Sequence, residues 1–164
     1  MTDRQLLAPA FPDDTGEADP ALADALAAFG DDPGRFPEAL AALQDARVLV
    51  PVVAVLGDVE VDAAGLAHDK SSDMAAVLLT GADGRMALLG FSSTITLAGW
   101  DREARPVPVT VRTAATAAVQ EGADALVLDV AGPVRLVVEG EHLRALAAGW
   151  RLARVDDDVA WVRP

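Results

Sequence analysis

Apolar positions along this chain follow two periods, and each period marks its own kind of element. Leu22, Leu26 and Phe29 recur at i, i+4 and i+7, behind Asp19 as an N-cap and Pro20 at the first helical position, which predicts a helix ended by Gly30. Phe36, Leu40 and Leu43 repeat that spacing in a second helix over 34–46. The β-branched run 47–56 then predicts a strand, with Pro51 requiring a sheet edge or a bulge. Residues 57–72 read as a long polar loop. Runs 73–80 and 85–91 read as strands joined by the hairpin turn Gly81-Ala82-Asp83-Gly84. Ser92, Ser93 and Thr94 offer capping hydroxyls to a short helix carrying Leu97 and Trp100.

The second half repeats these devices. A strand is expected over 107–111, then an Ala-rich helix capped by Thr113 and ended by Gly122. Strands 125–130 and 134–139 pair around Ala131-Gly132-Pro133, and a helix over 140–148 presents Leu143, Leu146, Ala147 and Trp150 on one face. Runs 151–155 and 159–162 pair across Asp156-Asp157-Asp158. Helices and hairpins in this order predict an α+β fold: a mixed β-sheet with hairpins and helices packed against it, in a single domain over 20–164. Residues 1–19, with Pro9, Pro12, Asp13, Asp14 and Glu17, read as a disordered acidic and Pro-rich tail.

Composition narrows what such a domain does. At 164 residues, 52% hydrophobic and without cysteine, the chain has enough apolar matter for a core, and no disulfide or thiolate chemistry. Its net charge of −13 opposes binding to nucleic acid and to anionic membrane surfaces. No apolar run reaches the ~18 residues of a spanning helix, and the N-terminus has no signal-peptide pattern, so a cytoplasmic location is expected.

Lys70 is the one lysine beside twelve arginines, and it sits in the polar cluster His68-Asp69-Lys70-Ser71-Ser72-Asp73. The phosphate-loop pattern fails there, because Ala64 and Asp69 stand where glycines belong and a strand follows. A cation held by Asp69 and Asp73 would meet competition from the Lys70 ammonium. A Ser–Lys nucleophile needs a neutral lysine, and the flanking carboxylates favour the charged form. The plainest reading is a turn shaped by Asp69, Ser71 and Ser72, with Lys70 paired to Asp69 or Asp73. The helix start at Ser92 and Ser93 is a second candidate, since free N–H groups there suit a small anion. His68 and His142 read as surface residues, and Trp100, Trp150 and Trp161 as packing residues. No catalytic residue, metal site or cofactor is expected. The candidate ligand or partner contacts are therefore Asp69, Lys70, Ser71, Ser72, Asp73, Ser92 and Ser93.

The run Arg47-Val-Leu-Val-Pro-Val-Val-Ala-Val-Leu56, then Asp69-Lys-Ser-Ser-Asp-Met-Ala75, then Leu88-Leu-Gly-Phe-Ser-Ser93, resembles the actinobacterial branch of the SseB (enhanced serine sensitivity) proteins. Ala104-Arg-Pro-Val-Pro108, Glu121-Gly-Ala-Asp-Ala125, Leu128-Asp-Val-Ala-Gly-Pro133 and Gly140-Glu141 extend the resemblance over roughly 35–155. It implies the family's N-terminal α+β domain, without the second domain of longer members. It carries over no catalytic or cofactor residue. Enterobacterial members typically read Leu-Asn-Pro where this chain has Leu128-Asp129-Val130, a departure from the pattern. The role it implies is undefined and non-enzymatic; the polar Lys/Ser/Asp cluster adds the expectation of an interaction or regulatory module for a protein partner or a small anionic ligand. Two other readings stand beside it: a hydrolase or transferase using Ser71 or Ser72 with Lys70 or His68, and a homo-oligomer pairing across a twofold axis.

Overall fold

A computed structural model describes residues 10–55, 73–156 and 158–164, with backbone alone for 53–55 and 73–75. Helix α1 (Pro20–Asp31) starts where Asp19 accepts the Leu22 N–H at 3.0 Å. It runs through Gly30 instead of stopping there. The glycine is needed for closeness, because a Cβ on it would lie 2.6 Å from a methyl of Val134. A 3-10 turn (Pro33–Arg35) leads into α2 (Phe36–Gln44), so the predicted second helix divides in two.

Strand β1 (Arg47–Val55) is central, not an edge. It lies between β2 (Asp73–Ala76) and β5 (Arg105–Thr110), antiparallel to both. The register explains why Pro51 is tolerated there. Pro51 faces Pro106, and Leu49 faces Pro108, so these are positions where neither strand donates across the pair. Val48, Val50 and Val52 face Val109, Val107 and Arg105 and carry the ladder. On its other side Pro51 only accepts, from the Val77 N–H at 3.1 Å.

The strand predicted over 73–80 changes sheets at Val77. Its first part is β2, on β1; its second is β3 (Leu78–Thr80), on β4 (Met86–Gly90). The β3–β4 hairpin turns as the sequence predicts, with Gly84 at φ +79°. Strand β4 pairs in parallel with β6 (Ala125–Leu128), and β6 pairs antiparallel with β7 (Leu136–Glu139), giving the order β3-β4-β6-β7. The sheets meet where Leu49 and Phe91 exchange two backbone hydrogen bonds of 2.8 Å. Helices α3 (Thr94–Trp100) and α4 (Val111–Gln120) lie on the path from β4 to β6. Thr110, not Thr113, caps α4, accepting the Thr113 N–H. Helix α5 (Gly140–Ala147) and the hairpin of β8 (Arg151–Val155) and β9 (Asp158–Val162) complete the α+β fold expected from the sequence.

Alternation sorts the strands' side chains onto two faces. Val48, Val50, Leu88, Leu126, Leu128, Leu136 and Val138 join Leu22, Leu26, Leu40, Leu43, Leu143 and Leu146 in the larger core, under α1, α2, α4 and α5. Leu49, Leu89, Phe91, Ala125 and Val127 point the other way, where Leu97 and Trp100 of α3 cover part of the face. Phe91 and Trp100 stack there with ring centres 5.6 Å apart. His142 is half-buried, not a surface residue: its ring lies beside Phe36, and its Nδ1 accepts from Trp161 Nε1 at 3.1 Å.

Candidate functional site at the carboxyl ends of β4 and β6

The predicted contacts divide between two places. Asp69, Lys70, Ser71 and Ser72 lie outside the described residues, as does the alternative His68 partner. Asp73 opens β2 opposite Val55. Ser92 and Ser93 follow the carboxyl end of β4, next to the end of its parallel neighbour β6, which is where open α/β sheets place ligands.

Ser92 is buried and bound to a residue that the sequence did not single out. Its N–H donates to Asp129 Oδ1 at 2.8 Å, and its hydroxyl donates to Oδ2 at 2.6 Å. Asp129 is only 3% exposed and holds φ at +53°, a left-handed backbone that Asp tolerates better than most residues. Its N–H donates to Gly90 O at 2.9 Å, and its C=O accepts from Gly132 N–H at 2.9 Å. This left-handed turn ends β6 at Leu128, two residues sooner than the apolar run predicts. One signal was available: Asp129 is the lone polar residue of the run 125–130. The segments 88–93 and 128–133, far apart in sequence, thus meet at one carboxylate.

Ser93 does what its sequence position suggests. It caps α3, its Oγ accepting the Thr96 N–H at 3.2 Å while Thr96 Oγ1 accepts the Ser93 N–H at 3.3 Å. Other N–H groups of this helix start are also bonded from within the chain. The Thr94 N–H donates to Gly16 O at 2.8 Å, and the Leu97 N–H to Ser93 O at 3.1 Å.

Gly16 belongs to the stretch 1–19 read as a tail, but from Asp14 onward that stretch is bound to the fold. Arg47 pairs with Asp14, donates to Glu17 O at 2.6 Å and donates to Ser92 O at 3.0 Å. Both side chains of the pair are largely shielded, at 12% and 13% exposure. Gly16 is left-handed at φ +79°, and a Cβ on it would sit 2.4 Å from Thr94 Cγ2. The local sequence of 14–17 is polar and breaks periodicity, so its docking depends on a distant arginine that no local pattern reveals.

Between α1 and these strand ends lies a crevice of about 210 Å³. Ser92, Ser93, Thr96 and Asp129 supply its polar wall, and Ala23, Leu26 and Val134 its apolar wall. Among the described residues no group of three or more His, Asp or Glu is placed to hold a metal ion. Among them also, no helix is long and apolar enough to cross a membrane.

A model of one protein family, described as the SseB protein N-terminal domain, matches residues 22–145. That span includes Ser92, Ser93, Asp129 and both strands that carry them. No curated protein and no solved structure matches the chain.

Proposed function

The chain belongs to the SseB N-terminal domain family, and on that premise we propose that it is a non-enzymatic recognition module that binds a small ligand in the Ser92–Asp129 crevice. The observation that carries this reading is the buried Asp129 carboxylate in the wall of a small crevice whose opposite wall is apolar. A carboxylate offers about four lone-pair positions, and Ser92 uses two of Asp129's. The remaining capacity accepts hydrogen bonds. The ligand class is therefore a compact molecule with an ammonium or amide head and a short apolar body. A small anion, expected from the helix start alone, would meet Asp129 and find the Thr94, Thr96 and Leu97 N–H groups of α3 already bonded.

The non-enzymatic part of the reading rests on the state of the serine. The Ser92 hydroxyl proton is directed at Asp129, and both groups sit behind backbone hydrogen bonds that close the β6 turn. That arrangement holds two strand ends together and presents no exposed nucleophile. The same reading keeps the domain in the actinobacterial branch of the family and in the cytoplasm.

The test is a thermal-shift comparison of small organic ammonium ions, amides, carboxylates and phosphates. It uses wild type, Asp129→Asn and Lys70→Ala. Asn fits the left-handed turn and keeps an acceptor for the Ser92 N–H, so this variant removes charge more than structure. Ammonium probes should stabilise wild type, by about 2.7 kcal/mol at roughly a hundredfold excess over Kd, and lose that effect in Asp129→Asn. Carboxylates or phosphates that stabilise wild type but not Lys70→Ala would overturn the crevice assignment and favour the 69–73 cluster. No stabilisation by any probe would favour a protein partner.

A further inference from the structure

We propose that a second copy of this chain covers, about a twofold axis, the face of the β3-β4-β6-β7 sheet that the described residues leave open. The proposal is independent of the ligand reading, because the face lies away from the crevice and rests on other residues.

Parallel strands are ordinarily buried on both sides, and β4 and β6 at the centre of this sheet are such a pair. Here α1, α2, α4 and α5 bury one side. On the other, the residues packed with α3 are those near Phe91. Beyond that end the same face forms a trough of about 190 Å³. Ala87 and Ala125 give it a low floor, while Leu79 and Val137 stand at its sides, 41% and 38% exposed. Small residues between larger ones leave room for an incoming apolar side chain. Leu79 and Val137 of a facing copy have the size to fill it, and twofold symmetry makes that fit reciprocal.

Charge selects the occupant. The whole chain carries −13, yet the trough is rimmed by Arg85 and Arg135 against Asp124 and Glu139, a balanced set. Arg85 is hydrogen-bonded to Glu139, and that bond and the carboxylate's charge raise its pKa. A basic partner would be drawn to the acidic remainder of the surface before this neutral patch. Two copies of an acidic protein repel each other over most orientations and are least opposed where their neutral patches meet. A face bearing both signs is also complementary to itself.

Sedimentation velocity over a range of protein concentrations, at low and moderate salt, tests this. Raising ionic strength from about 0.01 to about 0.15 M shortens the Debye length from about 30 to about 8 Å and screens the repulsion between copies. The expected result is a monomer–dimer equilibrium that shifts toward dimer with concentration and with salt. Leu79→Asp and Val137→Asp should each weaken it at least tenfold, since either would bury a carboxylate against the facing apolar trough. Both sites are partly exposed, and circular dichroism would verify that each variant stays folded. A monomer at every concentration and both salts would overturn the proposal. So would a dimer that persists in both folded variants, since its interface would then lie elsewhere. Asp129→Asn should leave the dimer unchanged, which separates this result from that of the ligand test.

Discussion

Asp129 occupies a left-handed turn and is almost fully buried, and there its carboxylate satisfies two donors of Ser92. Truncating it strands two buried donors. Asp129→Ala should therefore cost about 2–4 kcal/mol in chemical denaturation, whereas Asp129→Asn should cost less than half as much. Gly16 makes a matching case of backbone necessity. Gly16→Ala would put a side chain on a left-handed residue and against Thr94, so a loss of about 1–3 kcal/mol is expected in the same assay. At this scale the sequence was partly readable. The capping role of Ser93 depends on residues three positions away, and a local pattern shows it. The roles of Asp129, Arg47 and Gly16 depend on partners tens of residues distant, and nothing adjacent in the chain announces them.

Among the elements, the hairpins and the helices were legible for the same local reason: glycine turns and 3.6-residue spacing are short-range signals. The switch of one strand between sheets at Val77 was not legible, because β2 and β3 differ only in which strand each faces. Nor was the central place of β1, since a proline is acceptable there only when its neighbour in register does not require its N–H. The prolines of β5 have a second effect. As the pairs at Pro106 and Pro108 do not bond inward, these residues direct their missing N–H groups outward, along the edge that the described residues leave free. Pro106→Thr with Pro108→Thr should leave the fold intact by circular dichroism and raise aggregation on warming, read by light scattering. Equal scattering from wild type and variant would mean that the edge is protected by something else.

Over the whole molecule, an α+β fold with a mixed sheet was expected and is present, but which strands would pair in parallel, β4 with β6, was not foreseen. Parallel neighbours are joined through intervening elements, here α3, β5 and α4, and no short motif marks their meeting. Leu126 lies at that junction, fully buried in the larger core. Leu126→Ala should cost about 2–5 kcal/mol. The same junction orders events in time. The β3–β4 and β6–β7 hairpins close over short distances, while joining β4 to β6 closes a loop that includes two helices and a strand. Refolding should therefore pass through a period in which both hairpins exist and have not yet met. In pulse-labelled hydrogen exchange the amide of Asp129, which donates across to Gly90 O, should gain protection last, at the step that also closes the crevice around Asp129.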